Sequence, residues 1–434
     1  MDRPRSSLGT AVRRTFSSLD TYNYRLYFAG DLVSHIGSWM QTMAEAWLVL
    51  ELTDSGMAVG ATFAFRFLPV LLFGLWGGAI ADRFSRRKLL IVTQSAAAVL
   101  AVVLWFVVWH DIVQVWMVFA LAAALGLVTV VDEPARHAFV EEMVGRDRLA
   151  NAVALNGAVG NSARITGPAL AGLLIASVGL PWVFFGNAIS FFAVVGALIA
   201  MRPAELRYRH LPETRPRVRE GLTYAWSLTQ IRPTIILVFV VGTLVYNFPT
   251  YLTLLASETF GGGAGLAGFL MALLGVGTVI GGLAAAHRGH ATLRIVVLAA
   301  GLLGTALVVT AALPGQVLVE IALIPLGATA VFFGTNANAH MQLASAPHLR
   351  GRVMAIYMLL TLGTTVVGGP FVGWFCQQFS PRAGLALAGV ATLGTALVLA
   401  AVRTQPRASV DPNTCTPGDA RVVAPRPATS GQAG

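Results

Sequence analysis

The chain has 434 residues, of which 56% are hydrophobic and only 12% are charged, and its formal net charge is +10. Soluble domains are about one-quarter charged, so the composition excludes a soluble globular protein and indicates a multi-pass membrane protein. The basic excess does not require a nucleic-acid partner, because positive charge also orients proteins in a membrane.

Twelve apolar segments follow a basic N-terminal arm, and each reaches the length of about 20 residues that a membrane-spanning helix needs. The predicted spans are 26–50, 57–81, 89–110, 112–132, 152–178, 181–201, 234–256, 264–286, 293–313, 315–339, 353–378 and 383–402. We therefore predict an all-α membrane protein with twelve transmembrane helices and with both termini on the same side.

The longest internal loop divides the predicted spans six and six, and its arginines and prolines favour a linker between two half-domains. The predicted regions are an N-terminal arm 1–25, a six-helix half 26–201, a linker loop 202–233, a second six-helix half 234–402 and a tail 403–434. The tail is rich in Pro, Ala, Thr, Ser and Gly, a composition that predicts disorder.

Positive charge is distributed unequally between the two alternating sets of predicted loops. The set that includes both termini holds 27 of the 30 lysines and arginines, whereas the other set holds only Arg382. The remaining two, Arg66 and Arg164, lie inside predicted spans. Because basic loops stay on the cytoplasmic side of a membrane, this asymmetry predicts that both termini are cytoplasmic.

Neither cysteine belongs to a metal-binding spacing or a disulfide framework, since Cys376 falls in an apolar span and Cys415 in the polar tail. The one lysine, Lys88, follows an arginine and does not end a phosphate-binding loop of the Walker type. We therefore expect no metal, no cofactor and no catalytic residue. The basic start of the chain is followed by no small-residue cleavage site, so the first span is expected to direct membrane insertion.

A charged loop joins the second and third spans. Its sequence is GGAIADRFSRRK, and its pattern is set by Gly78, Asp82, Arg83, Arg86 and Arg87. Positive-inside charge explains the arginines, but it does not explain an aspartate at the end of a glycine-spaced helix. The loop is similar to the G-x-x-x-D-R-x-G-R-R loop of the major facilitator superfamily, with Ser85 in place of the second glycine.

The two halves repeat weakly, because the Gly167-Pro168 pair of span 5 recurs as Gly369-Pro370 in span 11. Such repeats are typical of transporters that enclose one cavity between two helical bundles. Proline bends a helix, and small residues let helices approach closely. We expect these four residues and Gly160 to shape the helices around the cavity, although close packing alone is an equal alternative.

A polar stripe follows one face of the first span, with the spacing i, i+3, i+4, i+7, i+11 and i+14. Its residues are Asp31, Ser34, His35, Ser38, Thr42 and Glu45. Acids inside a membrane are costly and commonly line a cavity or a proton path. Asp31 and Glu45 are therefore candidate proton carriers, and His35 and Thr42 are candidate cavity residues. The alternatives are a water-exposed cavity wall or, for Asp31, a position near the membrane surface.

Arg164 lies about halfway along span 5, where an unpaired guanidinium is expensive. We expect it to face the cavity and either to pair with an acid or to bind an anionic group, with Asn161 one turn away in the same role. A purely structural ion pair is the alternative. Arg66 in span 2 lies at a depth similar to that of Glu45, so these two residues are expected to pair.

Five segments together resemble the drug and siderophore exporters of the major facilitator superfamily. Besides the charged loop they are FAGDLVSHIGSWMQ (Phe28–Gln41), DEPARHAFVEEMV (Asp132–Val144), NAVALNGAVGNSARITGPALAG (Asn151–Gly172) and RGRVMAIYML (Arg350–Leu359). The resemblance is to the branch that contains enterobactin and macrolide exporters, also called transmembrane secretion effectors.

The resemblance implies a secondary active exporter of amphipathic small molecules, driven by proton antiport with alternating access, in a bacterial cell membrane. It implies a gate in which Asp82 meets Arg136 and the start of span 11 near Arg352, and a functional role for Arg164. The expected partners are a small-molecule substrate, protons and the lipid bilayer, with no nucleic acid, and the protein is expected to be a monomer.

Three other functions are compatible with parts of the sequence. An ion-coupled importer would have the same fold, and only the exporter-like motifs favour efflux over import. An intramembrane enzyme is disfavoured because the chain contains no H-E-x-x-H helix, no G-x-S-x-G elbow and no paired intramembrane aspartates. A non-transporting sensor would require a soluble signalling domain, for which the predicted regions leave no room.

Overall fold

Twelve long helical segments make up the computed structural model of the chain, which describes residues 16–207, 231–288, 291–345 and 350–404. The first six are α1 (Tyr22–Thr53), α2 (Gly56–Arg83), α3 (Arg86–Trp109), α4 (Val115–Val144), α5 (Arg146–Val178) and α6 (Pro181–Ala200). The next four are α7 (Arg232–Thr259), α8 (Ala264–Arg288), α9 (Leu293–Ala312) and α10 (Gln316–Leu343). The last two are α11, formed by Arg350–Met358 and Thr365–Gln378 around a π-helical turn Leu359–Gly363, and α12 (Pro381–Thr404).

Three predicted regions fall largely outside the described residues. They are most of the N-terminal arm 1–25, the central part of the linker loop 202–233 and almost all of the tail 403–434. A 3-10 turn, Ser17–Asp20, precedes α1, and a second one, Pro203–Glu205, follows α6.

Ten helices of the described residues are long and apolar enough to cross a membrane, and α1 and α5 are not among them. Two of the twelve predicted spans therefore correspond to helices that are not apolar enough to be counted as membrane-spanning by composition. Both helices carry candidate site residues predicted from the sequence, namely the acids of α1 and Arg164 of α5. The two helices pack against each other, and α1 also packs against α6, so each has a protein neighbour along part of its polar surface.

Helix α4 is longer than the sequence predicted, and its additional turns take the place of a predicted loop. The span was expected to end at 132 and to be followed by a loop 133–151, but the helix continues through Pro134 to Val144. Gly145, with a φ of 73°, ends it in a conformation that favours glycine. The added turns carry Glu142, whose carboxylate is neutralised by Arg86 of α3, and this pairing explains how a charged segment remains helical and buried.

The first six helices pack together, and so do the last six. In the first group α1 contacts α5 and α6, α3 contacts α4 and α6, and α2 contacts α4; in the second group α8 contacts α10, and α9 contacts α10 and α12. The two groups meet along two helix pairs, α2 with α11 and α5 with α8. Helices α8 and α11 are the second and fifth helices of the second group, as α2 and α5 are of the first. The contact between the two groups is therefore symmetric.

The bundle has two distinct ends. At the arginine-rich end, Asn23 at the start of α1 forms two hydrogen bonds of 2.9 Å with the backbone of Arg202, two residues after the end of α6. The start of α3 contacts the ends of α4 and α6 at the same end. The opposite end contains the turns at Asp54, Gly179, Gly261 and Gly315. Helices therefore run alternately between the two ends, as the sequence predicted.

Candidate functional site

The two halves touch at the opposite end of the bundle. A Cβ atom on Gly60 of α2 would overlap the backbone of Gly369 of α11, and the same holds for Gly56 with Gly373. Small residues at a crossing let two helices approach closely. Hydrogen bonds close the same end, since the Gln377 amide donates to the Asp54 carbonyl at 3.1 Å and accepts from the Ser55 hydroxyl at 3.3 Å.

Helices α5 and α8 make a second contact of the same kind. Gly268 of α8 approaches the backbone at Pro168 and Gly172, and Gly275 approaches the backbone of Arg164. Gly167 packs against α1, so the glycine-proline pairs of α5 and α11 both lie in close helix contacts. Gly160 differs, because nothing lies within 4 Å of a Cβ built on it, and its predicted part in packing is not seen in this conformation.

The halves separate toward the arginine-rich end. Gly78 of α2, Gly157 and Gly160 of α5 have open space where a Cβ would stand. Among the described residues, the hydrogen bonds between the halves are those at Asp54, Ser55 and Gln377 of the opposite end. The predicted cavity between the halves is therefore expected on the arginine-rich side of the close glycine contacts.

The charged loop is anchored within the first half. The Arg86 guanidinium donates to the Glu142 carboxylate of α4 at 2.6 Å, and both side chains are buried. Arg87 donates to the carbonyls of Leu198 and Ile199 at 2.7 and 3.1 Å, where it satisfies the last turn of α6. These two arginines therefore tie α3 to α4 and α6.

Asp82 is an exposed member of the same loop. Its side chain is 53% exposed and lies 3.5 Å from Arg86. The predicted contact with Arg136 is absent from this conformation, because Arg136 pairs with two acids deeper in the first half. Arg352 lies in the first turn of α11, and its expected contact falls outside the described residues. Asp82 is thus positioned at the open end of the cavity without a partner from the second half in the described part of the chain.

Replacing Arg86 by Met is expected to lower the stability of the protein strongly. The change leaves Glu142 buried without its countercharge, and removing one partner of a buried ion pair costs about 3–5 kcal/mol. Thermal unfolding of the purified protein in detergent measures the effect. The double variant Arg86→Met, Glu142→Met should regain most of the loss, and Arg148→Gln, which changes an exposed arginine, should be neutral. A double variant no more stable than Arg86→Met would contradict this account.

A cluster of three charges lies behind the charged loop, between α1 and α4. Arg136 forms ion pairs with Asp31 and, at 3.0 Å, with Asp132. Asp132 also accepts hydrogen bonds from Thr93 at 2.6 Å and Gln94 at 2.8 Å. Both aspartates are buried. The cluster contains two carboxylates for one guanidinium, so its composition leaves one negative charge uncompensated by arginine.

His35 links this cluster to the cavity. Its Nδ1 atom lies 3.1 Å from the Asp31 carbonyl and 3.6 Å from the Asp31 carboxylate, and its side chain is 33% exposed. Asp31 itself is only 2% exposed. An imidazole between a buried carboxylate and accessible space has the geometry of a proton relay.

Glu45 belongs to a separate polar cluster nearer the opposite end. It lies 3.4 Å from Arg66, as the sequence predicted, and accepts a hydrogen bond from Gln41 at 2.5 Å. Gln41 in turn accepts from Asn187 of α6. Here one carboxylate meets one guanidinium, so the charges balance and the cluster ties α1 to α2 and α6.

Arg164 has no carboxylate partner in the described part of the chain. Its side chain is exposed, and its guanidinium lies over the Trp39 ring of α1, 5.2 Å from the ring centroid. Tyr246 of α7, in the other half, is close enough to interact with it electrostatically. Asn161 is half-buried one turn earlier. Thr42 is turned to its own helix and donates to the Ser38 carbonyl at 2.8 Å.

The second half contributes tyrosines and amides to the cavity. A recess of about 370 Å³ lies between α10 and α11 and is lined by Gly334, Thr335, Asn338, Ala339, Gln342 and Tyr357. The Tyr357 hydroxyl donates to the Gly334 carbonyl at 3.0 Å. Among the described residues, the ion pairs of the bundle interior lie in the first half, so the two helical groups differ in charge.

Sequence reasoning missed several residues of this site. Glu142 lies in the quoted segment DEPARHAFVEEMV, in the part that was predicted to be a loop, and Asp132 was predicted as the last residue of span 4 without its contacts to Thr93 and Gln94. Trp39 and Tyr246 gave no signal, because aromatic residues are frequent in membrane spans and most of them face lipid. Gln41 and Asn187 could have been noticed as amides inside predicted spans.

The family described as transmembrane secretion effector matches residues 13–425 of the chain. The multidrug efflux pump Tap of Mycobacterium tuberculosis is 29% identical over 360 residues, which are 78% of this chain and 83% of that protein. Macrolide efflux protein A of Streptococcus pyogenes is 26% identical over 356 residues, covering 77% of this chain and 85% of the relative. The staphyloferrin A transporter of Staphylococcus aureus is 24% identical over 59% of this chain, and the match spans 65% of that transporter's length.

Solved structures with the same fold are also transporters. The nucleoside transporter NupG has a TM-score of 0.69 at 13% identity, and the match covers 88% of this chain and 99% of that chain. A bacterial homologue of the lysosomal transporter Spinster, described as inward-facing and unoccupied, has a TM-score of 0.66 at 12% identity, with 88% of this chain and 94% of that chain covered. These likenesses concern the fold.

Proposed function

This chain belongs to the transmembrane secretion effector family of the major facilitator superfamily, and we propose that it exports amphipathic small molecules by secondary active transport. It is a multi-pass protein of the bacterial cell membrane, and the family and its structural neighbours are transporters and not enzymes. The efflux proteins among the relatives favour export over import. Both helical groups lie in one chain, which supports a monomer as the transporting unit.

All twelve helices cross the membrane in this proposal, with both termini in the cytoplasm and the linker 202–233 between two halves. The arginine-rich end is then the cytoplasmic end, as the positive-inside rule favours. The polar helices α1 and α5 cross with their charges paired or turned to the cavity. The conformation described above is accordingly open to the cytoplasm and closed to the outside.

The observation that carries the proposal is the one-sided contact between the halves. The glycine contacts of α2 with α11 and of α5 with α8 lie toward the closed end, while Gly78, Gly157 and Gly160 toward the other end have open space. Two rigid halves with this arrangement can rock about the cavity, so that one end closes as the other opens. The substrate enters from the cytoplasm in this state and leaves after the exchange.

Asp31 is the proton carrier in this scheme. Its cluster has two carboxylates for one guanidinium, so arginine balances only one of the two negative charges, and charges inside a membrane commonly mark proton paths. His35 connects it to the cavity. Glu45 was an equal candidate in the sequence, but its one-to-one pairing with Arg66 favours a structural role.

Asp82 acts at the cytoplasmic gate, and Asp82→Asn is expected to slow transport without unfolding the protein. In the outward-open state its carboxylate would meet the start of α11, where a helix N-terminus favours a negative charge by about 0.3–1 kcal/mol. Its exposure in the present state predicts little loss of thermal stability. Initial rates in proteoliposomes should fall several-fold. Equal rates for Asp82→Asn and the native protein, at equal incorporation, would remove Asp82 from the gate.

Uptake into inside-out vesicles tests the whole proposal. Vesicles that contain the protein are given a panel of amphipathic dyes and antibiotics, with a proton gradient and after its collapse by a protonophore. Accumulation that requires both the protein and the gradient is the expected result. Accumulation that survives the collapse would overturn proton coupling, and accumulation only in right-side-out vesicles would indicate import.

A further inference from the structure

Arg164 is the arginine of the bundle interior that lacks an acid among the described residues. Arg66 pairs with Glu45, and Arg136 pairs with Asp31 and Asp132. Arg164 has only the Trp39 ring and the nearby Tyr246. A guanidinium inside the membrane without a countercharge is costly, so its retention requires water or an anionic ligand in the cavity.

We propose that Arg164 and Trp39 form an anion-binding subsite, and that the transported compounds include amphipathic anions with an aromatic body and one carboxylate or phenolate group. The proposal rests on the exporter function proposed above and specifies its substrate class. The guanidinium offers paired N–H donors that match a carboxylate, and the half-buried Trp39 ring beside it offers aromatic surface for the ring of a ligand.

Negative charges elsewhere in the cavity do not compete with this role. The Asp31 and Glu45 carboxylates are buried against their own arginines. On the side of the second half, Tyr246 and Tyr357 point their hydroxyls to the backbone of α10, at 3.4 Å from the Ala330 carbonyl and 3.0 Å from the Gly334 carbonyl.

The position of the subsite connects binding to the movement of the halves. Arg164 and Trp39 belong to the first half, Tyr246 belongs to the second half, and the backbone of Arg164 is itself in contact with Gly275 of α8. A ligand held at Arg164 therefore lies where α5 meets α8 of the second half. Differential contacts of this kind are what a ligand needs to bias one conformation over another.

The test compares three probes that share one ring system and differ in charge, namely pyrenebutyrate, pyrenebutanol and pyrenebutyl-trimethylammonium. Binding to the purified full-length protein is measured by fluorescence anisotropy in detergent. Arg164→Gln should weaken pyrenebutyrate binding about tenfold or more, equivalent to about 1.4 kcal/mol, and should leave pyrenebutanol within about twofold. Arg164→Lys should retain part of the affinity, and Arg148→Gln, a change at an exposed arginine, should retain all of it.

Charge inversion gives an outcome that misfolding cannot produce. Arg164→Glu should bind pyrenebutyl-trimethylammonium more tightly than the native protein does and should lose pyrenebutyrate. Trp39→Leu should weaken all three probes, because it removes the stacking face. Equal losses of all three probes in Arg164→Gln, or no change in any of them, would assign Arg164 a structural role and overturn the subsite.

Vesicle transport of the same probes separates this proposal from the exporter proposal. If native vesicles accumulate the cationic probe and Arg164→Gln leaves every probe unchanged, the protein exports but the anion subsite is wrong. If binding of pyrenebutyrate depends on Arg164 while no vesicle preparation accumulates it under a gradient, the subsite stands and export of this class fails. Gradient-driven accumulation of pyrenebutyrate that Arg164→Gln removes is the result that supports both.

Discussion

Asp31→Asn is expected to abolish proton-driven transport while the protein remains folded. The change removes one of the two carboxylates that share the single guanidinium of the cluster, and Arg136 keeps Asp132 as a partner. A neutral amide at position 31 imitates the protonated state permanently, so substrate movement no longer requires or responds to a gradient. Gradient-driven uptake into inside-out vesicles should fall about tenfold or more, which corresponds to about 1.4 kcal/mol in the driven step.

Two variants serve as controls for the Asp31 prediction. Glu45→Gln leaves Arg66 without its acid and should lower the thermal unfolding temperature while transport remains gradient-dependent. Glu320→Gln changes an acid of α10 that accepts an exposed hydrogen bond from Gln316 at the start of the helix, and it should behave like the native protein. Undiminished gradient-driven uptake by Asp31→Asn would assign the proton site to another residue.

Gly60→Leu is expected to prevent closure of the opposite end and thereby to stop the transport cycle. A side chain at this position would overlap the Gly369 backbone, and no rotamer change can remove an overlap with main-chain atoms. The halves must separate at that end, so the conformation described here becomes inaccessible. Transport should fall about tenfold or more, as expected when the binding-competent state becomes a minor one.

Cross-linking reports the state of the closed end directly. Cysteines at positions 55 and 377, introduced by Ser55→Cys and Gln377→Cys into a protein with Cys376→Ala and Cys415→Ala, replace side chains that are 3.3 Å apart. They should form a disulfide readily in the native background and poorly with Gly60→Leu. Gly301→Leu, at a glycine of α9 with open space around it, is the matched control. Efficient cross-linking together with normal transport in Gly60→Leu would contradict the closed-end contact.

The sequence predicted the features that depend on local pattern and composition. Apolar runs predicted the helices, and their polar interruptions identified α1 and α5 as the helices nearest the site. The pairing of Arg66 with Glu45 followed from their similar depth and is present at 3.4 Å. Depth can be read from helical rise because a membrane span has a fixed direction.

Partners that are distant along the chain could not be predicted in the same way. The stripe on α1 suggested one continuous path from Asp31 to Glu45, but these acids belong to two separate clusters that depend on Arg136 of α4 and Arg66 of α2. Which helix faces each turn of α1 is decided by tertiary packing. The extent of α4 was misjudged for a related reason, since Glu142 looks like a loop residue until Arg86 is seen to neutralise it.

Conformation is the other property that the sequence leaves open. The predicted contact of Asp82 with Arg136 presupposed a closed arginine-rich end, whereas in the structure Asp82 lies near Arg86 and Arg136 pairs with Asp31. A single sequence encodes both states of a rocking transporter, and the energies that separate them are small compared with the packing energies of each half. Motifs therefore identify the residues that take part in the movement more reliably than they predict the positions of those residues in one state.

The most direct test of the central claim measures distances between spin labels at the two ends of the bundle as the pH is changed. Label pairs at Gln114 and Gln316 report the opposite end, and pairs at Phe84 and His287 report the arginine-rich end; each of these residues is exposed. Acidification should add a population in which the opposite end is open in the native protein. In Asp31→Asn that population should be present at every pH. A pH response that is the same in Asp31→Asn as in the native protein would show that protonation of Asp31 does not control the exchange between the two states.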